Sequence, residues 1–332
     1  MLTYQNPVWD GYMADPFVLR WAGMYYAYGT NASGTSRIEN DGKIFRVLRS
    51  SDLVQWECVG GALEPPTDPP PEACWAPEVA ERDGTFYLYY SASSDEGDEG
   101  HRLRVAVASH PAGPFRDTGK LLLPEENFTI DAHPFHDPKD GKWYLFFAKD
   151  FFDERVGTGV AVVPLADDMQ SVAGPVTTVL RATADWQIFA RNRHIYGQEW
   201  AAWHTVEGPF VVFHDEQYFC FYSGGAWTTP DYGVSFGVAD NVLGPYHDQW
   251  SATGPSVLRG IDGKVLGPGH NSLIVGPDNQ TEYLVYHAWD PAQTARRMCI
   301  DPLHWTPQGP RCAGPTTEPQ TIAVQPPQGE AR

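Results

Sequence analysis

The stretch Thr129-Ile130-Asp131-Ala132-His133-Pro134-Phe135 is followed, after a turn at Asp140-Gly141, by Trp143-Tyr144-Leu145-Phe146-Phe147. A polar residue set among apolar ones heads a short strand, and an aromatic-rich strand returns beside it. This order occurs five times. The heads are Asp15, Glu78, Asp131, Glu207 and His270, spaced 63, 53, 76 and 63 residues apart. The other aromatic strands are Tyr25-Tyr26-Ala27-Tyr28, Phe86-Tyr87-Leu88-Tyr89-Tyr90, Tyr218-Phe219-Cys220-Phe221-Tyr222 and Tyr283-Leu284-Val285-Tyr286. A third strand closes the unit, as in Arg104-Val105-Ala106-Val107-Ala108. A repeat this long, with a polar residue at each head, predicts radial repetition with the heads converging on one axis.

The expected fold is therefore all-β: a five-bladed β-propeller forming a single domain over residues 1–318. A Pro/Gln-rich tail follows over 319–332, part of it closing the ring and its end mobile. Helical periodicity is nearly absent, and 32 Gly and 29 Pro punctuate short alternating segments. A β-sandwich would not place a polar head at every repeat. Two stretches interrupt the pattern. Residues 60–74 are proline-rich and read as a loop, and residues 185–202 read as a loop or short helix near the fourth head.

A net charge of −19 argues against nucleic acid and anionic membranes as partners, and leaves a neutral oligosaccharide unrepelled. No segment approaches the ~20 apolar residues of a membrane span. Aromatic residues make up 13% of the chain, a surplus compatible with stacking on ring-shaped ligands. Five cysteines with no close CxxC pair fit reduced structural thiols rather than a zinc site or a disulfide framework. The start Met-Leu-Thr-Tyr-Gln-Asn-Pro shows no basic stretch followed by an apolar run. A cytoplasmic location is expected, or secretion where a leader has been removed.

Asp15, Asp131 and Glu207 all lie among apolar and aromatic residues, where an unpaired charge is costly. Clustered buried carboxylates shift one another's pKa, so one site obtains both a proton donor and a proton acceptor.

The motifs Ala14-Asp15-Pro16-Phe17, Trp75-Ala76-Pro77-Glu78, Ile130-Asp131-Ala132, Val206-Glu207-Gly208-Pro209 and Gly267-Pro268-Gly269-His270-Asn271-Ser272 resemble, in order and spacing, those of glycoside hydrolase family 43. The resemblance runs from about residue 6 to about residue 311. It implies a five-bladed propeller that removes arabinofuranosyl or xylosyl units with inversion and requires no cofactor. Asp15 would be the general base, Glu207 the general acid, and Asp131 the residue that positions the acid and raises its pKa. Trp75 would wall the sugar pocket or sit in the core, and Glu78 would bond a sugar hydroxyl or tie blade two to its neighbours. The family's fifth-blade arginine maps to Arg296, with Arg297 as the alternative. His270 would lie at the channel floor, either hydrogen-bonded in the core or beside a structural calcium or sodium ion.

The substrate expected from the resemblance is a terminal α-L-arabinofuranosyl unit on arabino-oligosaccharides or arabinoxylan fragments. A β-D-xylosidase is the alternative, and an endo-arabinanase or a non-catalytic carbohydrate-binding propeller are the further ones. Ile130-Asp131-Ala132 lacks the Arg-Asp-Pro pattern of a retaining β-fructosidase.

Overall fold

The computed structural model describes residues 1–30, 40–67, 70–94, 97–249 and 253–324. Short strands joined by turns at Asp83-Gly84, Asp140-Gly141 and Asp215-Glu216 build five sheets whose first three strands pair antiparallel in chain order. Blade one consists of Ala14–Trp21, Met24–Thr30, Ile44–Ser50 and Glu57–Leu63. Blade two consists of Ala73–Arg82, Thr85–Ser93, Arg102–Ala108 and Arg116–Leu121. Blade three has Thr129–His136, Trp143–Phe151 and Gly157–Pro164, and is extended by Thr177–Leu180 and by the hairpin Ile188–Ile195/Gln198–His204. Blade four has Val206–His214, Gln217–Gly224 and Gly233–Ala239, edged by His247–Asp248 and Leu258–Arg259. Blade five is Leu266–Val275, Glu282–Trp289, Arg296–Thr306 and Gly309–Cys312.

The first strands of the five blades touch one another in a closed circle, so each blade is radial and its first strand lines the axis. The fold is the five-bladed β-propeller expected, not a sandwich. The one helical turn among the described residues is the 3-10 turn Asp185–Gln187.

Leu2–Tyr4 pairs with Gln320–Ile322, and Ile322 is fully buried. This pairing lies within the segment assigned to the tail, so the expected boundary at 318 falls short: Ile322 has apolar surface to bury and a partner strand to bury it on. The tail's end, for which mobility was expected, lies outside the described residues from 325 onward. The expected loop over 60–74 is also partly strand, because its ends belong to Glu57–Leu63 and Ala73–Arg82. Residues 185–202 are chiefly a β-hairpin rather than a loop or helix. Phe189, Trp200 and Trp203 suit a pleated surface, and the sequence-level reading of that stretch underweighted them.

Much of the aromatic surplus packs between blades. Tyr28, Tyr89, Tyr90, Tyr222 and Tyr286 are fully buried, and their hydroxyls donate to Pro111 O, Met169 O, Asp117, Asp248 and Asp301 at 2.5–2.7 Å. A buried phenol needs such an acceptor, and these bonds fix the register between strands and loops.

Each axial strand breaks register near its start: between Ala14 and Phe17, Trp75 and Glu78, Ile130 and His133, Glu207 and Phe210, and Gly269 and Ser272. At each break one residue takes a left-handed conformation: Asp15 (φ 50°), Ala76 (φ 46°), Asp131 (φ 59°), Gly208 (φ 56°) and His270 (φ 50°). A non-glycine residue there costs about 1–2 kcal/mol. All five bulges are tied down by a side chain of the preceding blade, four of them by a residue of its second strand. The N–H of Asp15 donates to His287 Nδ1 (3.1 Å), Ala76 to Thr30 Oγ1 (2.8 Å), Asp131 to Ser91 Oγ (3.1 Å) and His270 to Ser223 Oγ (2.7 Å).

The five sequence heads are thus not structurally equivalent. Asp15, Asp131 and His270 occupy the bulge, whereas Glu207 precedes it by one residue and Glu78 follows it by two. Side chains alternate along a strand, so these offsets decide which heads face the opening.

Candidate active site

At one end of the axis the bulges surround a cavity of about 340 Å³. Asp15, Asp131 and Glu207 line it, as do Trp75, His270 and Arg296. Three blades supply the three carboxylates, Asp15 and Asp131 from the bulge residue itself and Glu207 from the residue before it.

Asp15 is the most heavily bonded of the three. Thr30 Oγ1 donates to its Oδ2 at 2.5 Å, and Arg296 Nη1 donates to its Oδ1 at 3.2 Å. His270 Nδ1 and His287 Nδ1 both stand 3.3 Å from Oδ1. Burial pushes the carboxyl upward, but the Arg296 guanidinium beside it outweighs burial and holds Asp15 well below the usual carboxylate range. His287 accepts the Asp15 N–H at Nδ1, and burial carries its pKa down to about 4. Its ring is neutral, with the proton on Nε2. His270 is also lowered by burial.

Glu207 has the opposite environment. Burial raises its pKa to about 7, and the negative charge of Asp15 adds to the rise; the Tyr232 hydroxyl, donating to Oε1 at 2.8 Å, opposes it. Asp131 is raised too, first by burial and then by repulsion from Glu207 and Asp15. Its Oδ2 accepts the Gly208 N–H at 2.9 Å, so Asp131 grips the backbone next to Glu207.

That grip has a cause in the repeat. The residue paired across from the position before each bulge is Thr30, Ser91, Ser223 or His287 in blades one, two, four and five, and Ala148 in blade three. Ala148 has no atom to accept the next bulge's N–H, which goes instead to Asp131. Gly208 suits this spot: a Cβ there would lie 3.2 Å from the His270 ring, on a backbone at φ +56°.

Arg296 also donates to Tyr12 Oη at 3.0 Å, and its guanidinium lies 4.6 Å from the centre of the Trp227 ring. Arg297 turns the other way, onto Asp290 at 2.9 Å, as alternation along Arg296–Thr306 requires. Of the two arginines considered, the structure brings Arg296 to the cavity. Trp75 lines the wall and stacks on His101 with ring centres 3.5 Å apart. Glu78 is not among the lining residues. Its carboxylate sits 2.7 Å from His133 Nδ1, the equivalent position of blade three, and it ties two axial strands together. Of the two roles weighed for Glu78, its position matches the tie.

A calcium or sodium ion at His270 does not fit these residues. The cationic Arg296 already neutralises the carboxylate nearest His270, and no group of three or more His, Cys, Asp or Glu among the described residues could hold a metal.

Sequence reasoning missed Tyr232, Thr30 and His287, along with the hairpin residues Phe189, Arg193 and Trp203 that wall one side of the cavity. Thr30, Ser91, Ser223 and His287 all stand one or two places after an aromatic strand, and that signal was available. The hairpin carried no such mark.

The sequence model of Glycosyl hydrolases family 43 matches residues 4–310. The β-D-galactofuranosidase xynD of Aspergillus niger is 29% identical over 92% of this chain and 83% of its own. An extracellular exo-α-(1→5)-L-arabinofuranosidase of Streptomyces chartreusis is 27% identical over 86% of this chain and 82% of its own. The crystal structure of a thermostable family-43 glycoside hydrolase superposes with a TM-score of 0.81, at 31% identity over 96% of this chain and 98% of that one. The cytoplasmic expectation gains no support, since relatives include extracellular enzymes; among the described residues no helix is long and apolar enough to cross a membrane. With three carboxylates around an axial cavity and a family match along nearly its whole length, the chain belongs to glycosyl hydrolase family 43 and is a glycosidase.

Proposed function

We propose that the chain is an inverting, exo-acting glycosidase that releases terminal α-L-arabinofuranosyl units from arabino-oligosaccharides or arabinoxylan fragments. The observation that carries this reading is the contrast between two carboxyls in one cavity. Asp15 is held ionised by Arg296, and Glu207 is held protonated to about pH 7 by burial. In this mechanism a water between Asp15 and the anomeric carbon attacks as the glycosidic bond breaks. Asp15 is a weak base, so it takes the water's proton as the new C–O bond forms and the attacking oxygen becomes acidic. Glu207 gives its proton to the departing oxygen. Asp131 holds Glu207's backbone in place through the bond it accepts from the Gly208 N–H.

Both named relatives act on furanosides, which supports a five-membered ring in the cavity. A β-D-xylosidase is the alternative within the same machinery. The test is a substrate panel of nitrophenyl α-L-arabinofuranoside, β-D-galactofuranoside and β-D-xylopyranoside beside linear arabino-oligosaccharides, with NMR of the first product. The arabinofuranoside should be the best substrate and the inverted anomer should appear first. Retention would exclude the pairing of Asp15 with Glu207, and preference for the xyloside would transfer the reading to the alternative.

A further inference from the structure

The hairpin Ile188–Ile195/Gln198–His204 projects from blade three beside the cavity, and its outer part has no role in the chemistry above. Phe189, Arg193, Ile195 and Trp203 line the cavity. Trp200 is the cross-strand partner of Arg193, so it stands on the same face of the hairpin, and it is not among the residues that line the cavity. Phe152, at the end of the adjoining blade strand, is 53% exposed, an unusual state for a phenylalanine. Its ring lies 5.7 Å from Trp200 and 6.2 Å from Trp203. Trp203 therefore touches both the cavity and an open aromatic ledge, which makes the two surfaces continuous.

Polar groups frame the ledge. Arg193 pairs with Asp98 of the blade-two loop at 2.5 Å, and Tyr196 donates to Asp150 at 2.5 Å. Asp98 keeps 58% of its side chain exposed. Flat apolar rings beside carboxylates and a guanidinium match the chemistry of a sugar, which offers an apolar C–H face and a rim of hydroxyls. The carboxylates and the net charge of −19 disfavour uronic acids.

Resting on the proposed glycosidase reading, we propose that the Phe152–Trp200 ledge seats the neutral sugars on the leaving-group side of the cleaved bond, so that the preferred substrate is an oligosaccharide chain end. The experiment compares kcat/KM for a linear arabinotriose and for methyl α-L-arabinofuranoside, whose leaving group is too small to reach the ledge. Phe152→Ala and Trp200→Ala should each lower the trisaccharide value about tenfold and change the methyl glycoside value less than about twofold. Trp200→Phe, which keeps a ring, should retain most of the trisaccharide activity and guards against a collapsed hairpin. Equal losses on both substrates, or no loss on either, overturn the ledge. If the wild-type chain hydrolyses neither pentoside, the proposed function fails on its own. The ledge is then decided by calorimetric titration of Glu207→Gln protein with neutral trisaccharides: binding about tenfold weaker after Phe152→Ala supports it, and unchanged binding overturns it.

Discussion

Tyr232→Phe isolates the one hydrogen bond that opposes protonation of Glu207. Tyr232 is buried, its ring stacks against His287, and its hydroxyl donates to Glu207 Oε1 at 2.8 Å. Phenylalanine keeps the ring and removes only the oxygen, so packing is preserved. A hydrogen bond to a carboxylate contributes roughly 1.5–3 kcal/mol, and one to the neutral acid about 0.5–1.5 kcal/mol. The difference, about 1 to 1.5 kcal/mol, favours the ionised form, and 1.36 kcal/mol corresponds to about one pKa unit. Losing it raises Glu207 from about 7 to ~8. The acid must be protonated to work, so the basic limb of the kcat/KM profile should move up by about one pH unit. The acid limb belongs to Asp15, which Tyr232 does not hydrogen-bond, and should stay in place. The assay is a pH series of kcat/KM on a substrate with a poor leaving group, wild type beside variant. A basic limb that stays put or moves down would refute the assignment of that limb to Glu207.

Three further outcomes follow from the same geometry. Glu207 has a raised folded-state pKa, so its destabilising effect is absent below the unfolded value near 4.5 and grows as pH rises through about 7. Glu207→Gln should therefore lose activity yet unfold at a higher temperature at pH 8, by up to about 3 kcal/mol, with the gap closing toward pH 4.5; equal melting temperatures at pH 8 would show that burial does not act on this carboxyl. Ala148→Ser restores to blade three the acceptor that the other blades possess, so Gly208 N–H should leave Asp131 and kcat/KM should fall about tenfold or more. A variant that melts like the wild type and keeps full activity would mean that the Asp131–Gly208 bond plays no part. A chain ended at residue 319 loses the pairing of Leu2–Tyr4 with Gln320–Ile322 and the fully buried Ile322 side chain. Denaturant titration should show a loss of at least about 2 kcal/mol, and a loss near zero would restore 318 as the domain boundary.

The sequence by itself determined the blade count and singled out the three carboxylates that line the cavity, because both are written in local chemistry. Period-two alternation and turn residues mark strands, and an acid among apolar residues stands out wherever it lies. Register was not legible. Glu78 and Glu207 look like members of one series with Asp15 and Asp131, yet a bulge displaced by one or two residues sends one into the cavity and the other onto His133. Nor could the sequence assign the proton. Whether a carboxyl is ionised depends on partners hundreds of residues away, and the contact of Arg296 with Asp15 spans 281 positions. The role of the hairpin beside the site was not legible for a similar reason: its tryptophans become a wall and a ledge only where blade three meets the axis. Local pattern determined what the parts are. Which parts face one another, and with what charge, was decided only when the ring closed.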